Sequence, residues 1–378
     1  MEKSKHRIAH VLHSVGGVDV SVRLIVKNTN SDLFEHTIIH GHLDTSVPFL
    51  NDKGEAVSEY KTKITRNISI YRDIKSILDT IRYLKKNPHD LIHAHSAKGG
   101  VIGKIAGLVV GVKTVYTPQA FSYLSAQNKL KRFLFLCIER LLANKNGLLL
   151  ASSASEQKRA IHEVKYTPEN TAIFSNCIEP IGAIQPLTIS KTWPDEYICT
   201  VGRPSFQKNI EMMIQALHEV QKTNRIHLII MGVGHHVGQL QSVKDLIKKL
   251  DLTSAVTLLD WTARTDVFHI ISKSKFYLST ARYEGMPYSV IESLALSKPC
   301  VVSDCDGNRD LIRDGYNGYV VKQNDVNSFV SKVKLLLNTP DLLHTLATNA
   351  QQSFQTDYNI QHNSKKLEEI YQMSIHKN

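Results

Sequence analysis

Short apolar runs alternate with longer segments of helical period along most of the chain. In the first half these runs are almost continuously apolar, which is typical of strands that a parallel sheet buries on both faces. The runs are RIAHVLHS, DLIHAHS, KTVYTP, GLLLASS and TAIFSN. Helices are predicted over residues 19–29, 99–110 and 126–144. The pattern predicts a doubly wound α/β domain.

The alternation begins again after SNCIEPIGAIQPLTISKTWPDEY, a segment with three prolines and little periodicity. Six more strands are predicted, in YICTVGR, IHLIIMG, AVTLLDW, KFYLST, PCVVSD and GYVV. We therefore predict a first domain at residues 1–180, a second at 181–355, and a helix at 356–378 that packs back toward the first domain. Two parallel-sheet domains of this kind are expected to face a central cleft.

Length and charge narrow the class of protein. The chain has 378 residues, more than one hydrophobic core usually organises. Its net charge of +11 favours polyanionic partners. No RNA-binding signature, zinc-finger spacing or basic run is present, which disfavours a nucleic-acid-binding protein. The five scattered cysteines, and the lack of a signal-peptide pattern or spanning stretch, predict a cytoplasmic protein.

Loops that follow strands hold the candidate chemistry, because open α/β sheets bind ligands beyond the carboxyl ends of their strands. Gly16 and Gly17 follow the first strand, where the backbone can approach a phosphate. Arg203 and Lys208 follow the first strand of the second domain, and two cations at a helix start can neutralise a diphosphate. Taken alone, a glycine turn of this kind is more often plain loop geometry, and the two cations would be interpreted as solvated surface charges.

Two glutamates, Glu284 and Glu292, flank a Gly-Met-Pro turn in an otherwise apolar segment. Pro287 is predicted at the first position of a helix, with Glu284 in the loop before it and Glu292 on the helix edge beside the cleft. A carboxylate can accept from both hydroxyls of a vicinal diol, and the N–H groups of residues 285–288 can seat an anion. This combination describes a nucleotide sugar. The alternative is a loop charge and a partner of the helix dipole.

Residues 196–321 resemble the donor-binding domain of the retaining GT-B glycosyltransferases of family 4, also called group 1. The matching stretches are VGRPSFQKN, MGVG, LLDW, STARYEGMPYSVIESLALSKPCVVSD, GNRDLI and GYNGYVV. The first half resembles the same family through GGVDVSV, DLIHAHSAKGGVIGKIAGLVVGVKTVYTP, SASE and FSNCIE. The resemblance implies two Rossmann-like domains, the first on the acceptor side and the second binding a nucleoside-diphosphate sugar.

The resemblance also implies roles for single residues. Arg203 and Lys208 are expected to hold the donor diphosphate, Glu292 the ribose hydroxyls, and Glu284 the transferred sugar. We expect Arg203, Lys208 and Glu284 to be the catalytic residues, with no cofactor and no metal. The remaining donor-binding residues are expected to be Gly16, Gly17, Gly285, Met286, Pro287 and Tyr288.

One position departs from the family pattern. The family commonly has a histidine after the strand at residues 113–118, and this chain has Gln119 there. Glutamine can hydrogen-bond a sugar hydroxyl but cannot carry a proton. A retaining transfer does not require a protein base if the departing phosphate oxygen accepts the proton, so activity is still expected. Gln119 and His95 are retained as further cleft residues.

Three motifs partly match metal sites: HGHLD at residues 40–44, HAH at 93–95 and SDCDG at 303–307. The first lacks the histidine that would follow at Thr45, and all three occur in loops or strand ends that the family resemblance accounts for. We therefore predict no metal site.

Residues 128–145, NKLKRFLFLCIERLLANK, begin with basic side chains and continue with apolar ones. Two interpretations stay open. One is a buried helix with a charged end. The other is peripheral contact with an anionic membrane at the inner face of the cytoplasmic membrane, as suits an enzyme with a lipid-linked acceptor.

The predicted function is retaining, metal-independent transfer of a hexose-type sugar to a glycan or lipid-linked acceptor. The donor is a nucleoside-diphosphate sugar, with UDP favoured, and the process is cell-surface polysaccharide or O-antigen biosynthesis. One alternative is a sugar-nucleotide epimerase of GT-B-like fold, which needs ionisable residues that Gln119 does not supply. Another is a non-catalytic sugar-nucleotide-binding protein.

Overall fold

The computed structural model describes residues 5–65, 67–126, 128–234 and 239–376. The chain divides into two compact units. Unit 1 comprises Met1–Glu179 and Ile360–Asn378, and unit 2 comprises Pro180–Asn359. Each unit is built on one parallel sheet whose strands are connected by helices, so the predicted class of two doubly wound α/β domains is confirmed.

Unit 1 contains a seven-stranded parallel sheet in the order β3-β2-β1-β4-β5-β6-β7. Its strands are β1 (His6–Val11), β2 (Phe34–Gly41), β3 (Ser58–Thr62), β4 (Leu91–His95), β5 (Thr114–Thr117), β6 (Gly147–Ala151) and β7 (Thr171–Ile173). Its helices, in the part of the chain before residue 180, are α1 (Gly17–Asn28), α2 (Ile70–Lys86), α3 (Ser96–Val110), α4 (Lys129–Leu142) and α5 (Ala154–Arg159).

Unit 2 contains a six-stranded parallel sheet in the order β10-β9-β8-β11-β12-β13. Its strands are β8 (Tyr197–Val201), β9 (His227–Met231), β10 (Val256–Leu259), β11 (Tyr277–Ser279), β12 (Cys300–Ser303) and β13 (Gly318–Val321). Its helices are α6 (Ile210–Gln221), α7 (Leu240–Lys249), α8 (Arg264–Lys273), α9 (Tyr288–Ala295), α10 (Asn308–Leu311), α11 (Val326–Asn338) and α12 (Pro340–Ser353). The six strands predicted from apolar runs in this half are all present.

The last helix, α13 (Ile360–His376), belongs to unit 1. It packs on α1 and β4 through an apolar side that includes Leu367, Ile370 and Tyr371. These side chains share one core with Ile8 of β1, on the face of the sheet that α1 covers. The end of the chain therefore completes the core of the unit in which the chain begins.

Two strands of unit 1, β2 and β3, lie outside the runs that the apolar pattern selected. The strand β2 carries Glu35 and two buried histidines, His36 and His40, which break its apolar run. The strand β3 has the polar sequence SEYKT. This sequence suits a strand at the edge of the sheet, where part of its surface is exposed. A search for apolar runs therefore misses β2 because of its buried polar residues, and it misses β3 because of its polar sequence at the edge of the sheet.

In each sheet, the strand that comes first in the sequence of the unit lies in the interior of the sheet, with later strands on both sides of it. In unit 1, β1 lies between β2 and β4, and in unit 2, β8 lies between β9 and β11. The loops that leave two such neighbours diverge, which opens a crevice at the carboxyl ends of the strands. The loops after β1 and β4, and those after β8 and β11, are therefore where ligands are expected.

Candidate active site

Lys208 and Glu284 meet at the crevice of unit 2. Lys208 follows β8, Glu284 follows the neighbouring strand β11, and the Nζ–Oε1 distance is 2.8 Å. Gln207 donates its side-chain N–H to the other oxygen of Glu284 at 3.1 Å. Burial lowers the pKa of the Lys208 ammonium, but Glu284 and nearby groups outweigh burial, so the net pKa shift is upward. Lys208 is therefore a persistent cation at this crevice.

The end of β11 holds the segment that carries Lys208. The Thr280 hydroxyl contacts the carbonyl oxygens of Lys208 and Asn209 at 3.1 and 2.9 Å. The Arg282 N–H donates to the Gln207 carbonyl at 2.8 Å. Asn209 has a φ of 51°, in the left-handed region that asparagine tolerates better than most residues. These bonds connect two loops that are more than 70 residues apart in the chain.

Arg203 lies in the loop after β8 and is exposed. Its charge acts on Tyr283, the residue before Glu284. Burial raises the pKa of the Tyr283 hydroxyl, Glu284 adds to the rise, and Arg203 opposes it. Arg203 is therefore near enough to Tyr283 for its charge to act on that hydroxyl.

The turn of Gly285, Met286 and Pro287 is buried and leads into α9. Pro287 was predicted at the first helical position, and this is wrong by one residue. Pro287 is the N-cap, with ψ at 121°, and its carbonyl accepts from the Val290 N–H at 3.2 Å, so α9 begins at Tyr288. No side chain caps this end of α9. The dipole of a helix favours negative charge at such an N-terminus.

Gly307 supports this turn from the loop after β12. A Cβ at position 307 would overlap the Gly285 carbonyl oxygen and come within 3.1 Å of the Met286 Cα. The φ of Gly307 is 79°, a conformation that favours glycine. Close backbone packing and a left-handed φ thus both require glycine here.

Glu292 lies in the second turn of α9 and is 8 % exposed. Its Oε1 accepts from Arg264, at the start of α8, at 2.8 Å. Burial raises the pKa of the Glu292 carboxyl, and Arg264 partly offsets that rise. Its neighbours Val290 and Ile291 are almost fully buried in the core of unit 2. Arg264 was missed, although a basic residue at a helix start after a strand was an available signal.

In unit 1, Gly16 and Gly17 form the junction between β1 and α1. Gly16 has a φ of 63° and no side-chain cap, and α1 begins at Gly17. The loop before them is held by Asp44, whose Oδ2 accepts from the Ser14 N–H at 2.6 Å and from the Gly41 N–H at 3.0 Å. Asp44 belongs to the motif HGHLD, and its role in supporting this loop was not predicted.

Buried histidines form a hydrogen-bonded chain that ends at His95. Thr29 donates to the Ile25 carbonyl at 2.9 Å, so its oxygen accepts from Nε2–H of His36 at 2.7 Å. Nδ1 of His36 then accepts from His10, and Nδ1 of His10 accepts from Nε2–H of His95, each at 3.0 Å. The remaining nitrogen, Nδ1 of His95, carries no proton and has no hydrogen-bond partner among the described residues.

Burial lowers the pKa of each of these histidines, to about 3 for His95 and about 4 for His36. They are therefore neutral at physiological pH. His95 is the N-cap of α3 at the end of β4. It offers an acceptor nitrogen beside the crevice between β1 and β4, and it cannot serve there as an acid.

Three of the ring nitrogens come close enough to hold a metal ion. His10, His93 and His95 each place one nitrogen within 4.8 Å of the others. His93, however, already bonds the Tyr371 hydroxyl at 2.7 Å and the Thr117 hydroxyl at 2.9 Å. A metal would have to break several of these bonds, so neutral hydrogen bonding describes this cluster better.

Gln119 follows β5 and is half-buried. Its φ is 52°, and its amide nitrogen is buried without a partner among the described residues. The predicted residues thus fall into two sets. The predicted residues of unit 2, which lie between positions 203 and 292, gather at the crevice between β8 and β11. Gly16 and Gly17 follow β1, His95 ends β4 and Gln119 follows β5, and these three strands are neighbours in the sheet of unit 1.

Two family models match the chain. The model described as glycosyl transferases group 1 matches residues 190–353, and the model described as glycosyl transferase 4-like domain matches residues 16–177. This chain belongs to the group 1, or family 4, glycosyltransferases. The resemblance drawn from the sequence is confirmed, and the glycosyltransferase is an enzyme of the GT-B fold.

Curated relatives span nearly the whole glycosyltransferase. The UDP-Gal:alpha-D-GlcNAc-diphosphoundecaprenol alpha-1,3-galactosyltransferase of Escherichia coli is 25 % identical, with 97 % of each chain covered. The capsular polysaccharide biosynthesis glycosyltransferase CapM of Staphylococcus aureus is 21 % identical, over 86 % of this chain and 89 % of that one. Its homologues therefore include enzymes of capsule and polysaccharide biosynthesis.

Solved structures show the same fold. Sucrose-phosphate synthase from Thermosynechococcus elongatus superposes with a TM-score of 0.83 at 15 % identity, covering 98 % of this glycosyltransferase and 99 % of the other chain. HepE from Anabaena, in complex with UDP-glucose, has a TM-score of 0.75 at 17 % identity, with 96 % and 98 % covered. Among the described residues, no helix combines the length and apolar character needed to span a membrane.

Proposed function

We propose that this glycosyltransferase moves a hexose-type sugar from a UDP-sugar to a glycan or lipid-linked acceptor, with retention of anomeric configuration, in cell-surface polysaccharide or O-antigen biosynthesis. One observation carries the proposal. Lys208, Glu284, the 285–287 turn and Glu292 gather at the carboxyl ends of β8 and β11. Support for UDP and for a lipid-diphosphate acceptor comes from the names of the relatives.

Each group matches one part of the donor. Lys208 and Arg203 supply positive charge for the diphosphate, and the helix dipole at the start of α9 favours negative charge there. Glu292 can accept from the two hydroxyls of a ribose, for which its pair with Arg264 at 2.8 Å already orients the carboxylate. Glu284 is assigned to the hydroxyls of the transferred sugar.

In the proposed reaction, the bond between the sugar carbon and the diphosphate oxygen breaks as the acceptor oxygen attacks the same face. The departing phosphate oxygen takes the acceptor's proton, so no protein base is required. Lys208 and Arg203 stabilise the negative charge that develops on the leaving diphosphate, and this is the metal-independent part of the proposal. Gly16 and Gly17, at the junction of β1 and α1 in unit 1, remain predicted donor-binding residues.

The helix α4 supports the proposed contact with an anionic membrane. Among its described residues the one that is buried is a carboxylate, Glu139. Phe135 and Leu136 pack against the core, but five other apolar side chains of α4 face outward, each more than 40 % exposed: Leu130, Phe133, Leu134, Ile138 and Leu141. Lys129, Lys131 and Arg132 lie at the N-terminal end of α4. An apolar face beside basic residues suits a surface of anionic lipid.

Binding and product analysis test the enzymatic proposal. UDP, compared with GDP and ADP, is expected to give the largest rise in melting temperature, because a ligand that binds the native state stabilises it. NMR of the product of a UDP-sugar is expected to show the anomeric configuration of the donor, in the presence of a metal chelator. A larger shift with GDP or ADP would contradict the choice of UDP. An inverted product would contradict retention, and loss of activity with the chelator would contradict metal independence.

A further inference from the structure

Two consecutive residues after β5 adopt a backbone conformation that their side chains disfavour. Gln119 has a φ of 52° and Ala120 a φ of 75°. Neither is glycine or asparagine, the residues that enter this region most easily. Such outliers persist only where surrounding contacts enforce them, and they concentrate at functional sites.

Glu156 supplies the enforcing contact. This residue lies on α5, is 2 % exposed, and accepts from the Ala120 N–H through Oε1 at 2.8 Å. Its Oε2 accepts from both the N–H and the hydroxyl of Ser152, at 2.7 and 2.8 Å. Since Ser152 follows β6 and Ala120 follows β5, one carboxylate joins the carboxyl ends of two neighbouring strands.

A carboxylate is the side chain that these donors require. At least three N–H or O–H groups point at its two oxygens, and a carboxylate accepts at both oxygens. A glutamine can accept at one oxygen only. That oxygen would serve the two donors of Ser152, which would turn the amide N–H₂ toward the Ala120 N–H, donor against donor.

The loop held in this way presents one group without a partner. The amide nitrogen of Gln119 is buried and has no hydrogen bond among the described residues. A buried donor without an acceptor is costly, and a ligand oxygen would relieve that cost. Hydroxyl and phosphate oxygens of a sugar nucleotide are acceptors of the required kind.

We propose that Glu156 is a positioning residue of the transfer site. By holding the Ala120 N–H, it keeps residues 119 and 120 in the left-handed conformation that aims the Gln119 amide at a hydroxyl or phosphate oxygen of a substrate bound at the carboxyl end of β5. The substrate class rests on the proposed function. The hydrogen bonds by which Glu156 holds the loop are independent of the proposed function.

The first experiment measures hydrogen exchange of the Ala120 amide in the full-length protein. Glu156→Gln is expected to speed this exchange by about tenfold or more, because a hydrogen bond to a charged acceptor is lost. Glu139→Gln is the matched control. Glu139 is a second buried carboxyl of unit 1, its pKa is raised by burial to about 7, and it accepts from Tyr116 at 3.1 Å. The control variant should leave Ala120 exchange unchanged.

The second experiment is a double-mutant cycle on kcat/KM, with UDP-galactose and UDP-glucose as donors and UDP release as the readout. Gln119→Ala and Glu156→Gln are each expected to lower kcat/KM by about tenfold. The double variant should be no worse than Gln119→Ala alone, because Glu156 acts through Gln119. Glu139→Gln should retain wild-type kcat/KM.

Unchanged Ala120 exchange in Glu156→Gln would overturn the positioning role. Losses that multiply in the double variant would overturn the link to Gln119. If wild-type protein turns over neither sugar nucleotide, the proposed function fails, whereas the exchange measurement still supports or refutes the role of Glu156.

Discussion

At the scale of single residues, the crevice of unit 2 is organised by pairs of opposite charge with unequal exposure. The side chain of Glu284 is 9 % exposed and that of its partner Lys208 is 24 % exposed. The same asymmetry holds for Glu292 at 11 % and Arg264 at 47 %. In each pair, loss of the cation should cost more stability than loss of the carboxylate. The carboxylate would stay buried without a partner charge, whereas the cation can reach water.

This asymmetry predicts different stability effects for the two partners. Lys208→Met should lower the free energy of unfolding by about 1–3 kcal/mol, because it leaves Glu284 buried without its ion partner. Glu284→Gln should cost clearly less. Both variants should lose most transfer activity. Urea denaturation of the two variants checks the order, and an equal or reversed order would contradict it.

The buried histidines predict acid sensitivity. Burial lowers the pKa of His36 to about 4, whereas its value in an unfolded chain is about 6.5. The unfolded state therefore binds more protons below pH 6.5, so stability is complete above that pH and falls as the pH drops from 6.5 toward 4. The full shift corresponds to roughly 3 kcal/mol.

Urea denaturation across this pH range measures the effect. His36→Gln removes the titrating group while keeping a donor and an acceptor, so the slope of stability against pH should flatten by up to about one proton. His227→Gln in unit 2 is the comparison, because the pKa of His227 is lowered by a burial that is less complete. An unchanged slope for His36→Gln would show that the chain tolerates a charged His36.

At the scale of elements, close backbone contact positions the start of α9. The turn at residues 285–287 rests on the backbone at Gly307, so α9 is held by a loop from the neighbouring strand β12. The apolar runs found in the sequence identified β8 to β13 because these strands are mostly buried, apart from β10, which is half-buried but still apolar. The same approach missed β2 and β3, whose buried histidines and polar edge do not form an apolar run.

Substitution of this glycine should disturb the donor site. Gly307→Ala is expected to destabilise unit 2 and to weaken UDP binding by about tenfold or more, because the turn must shift to accept a Cβ. Gly315→Ala is the matched control. Gly315 has a φ of 73°, and a Cβ there would meet no atom within 4 Å. Calorimetric titration with UDP checks the pair, and equal losses would assign the effect to φ strain alone.

At the scale of the whole molecule, charge and apolar exposure combine on unit 1. The net charge is +11, and α4 exposes apolar side chains next to basic ones. The helix α2 adds exposed Ile70, Tyr71, Ile74 and Leu78. The crossovers from β3 to β6 all advance in one direction along the sheet, so α2, α3 and α4 lie on one face of it.

Vesicle flotation tests this surface. The full chain should float with vesicles that contain phosphatidylglycerol at low salt, less at high salt, and not with phosphatidylcholine alone. Combined Leu130→Ser, Phe133→Ser and Leu134→Ser should lower binding by about tenfold or more. Leu43→Ser, at a residue of unit 1 that is 92 % exposed, should not. Concentration-dependent dimerisation lost in the triple variant would instead assign the surface to a second copy.

The sequence by itself determined properties that reside in short windows of chain. Apolar runs specified most strands, glycines and a proline specified turns, and the ordered motifs of residues 196–321 specified the family. These features need no knowledge of distant residues, because burial on two faces and backbone conformation leave a local pattern. Pro287 shows the limit of such patterns, since its extended backbone, with ψ at 121°, makes it the N-cap of α9 and not its first residue.

Only the tertiary structure decided which distant groups meet. Lys208 pairs with Glu284, Arg264 with Glu292, and Glu156 with Ala120, because their loops leave neighbouring strands or pack together in one unit. Whether a histidine is charged also depends on what surrounds it, as the neutral chain from His36 to His95 shows. Charge state and hydrogen-bond partners arise from long-range contacts, which residue order along the chain does not specify.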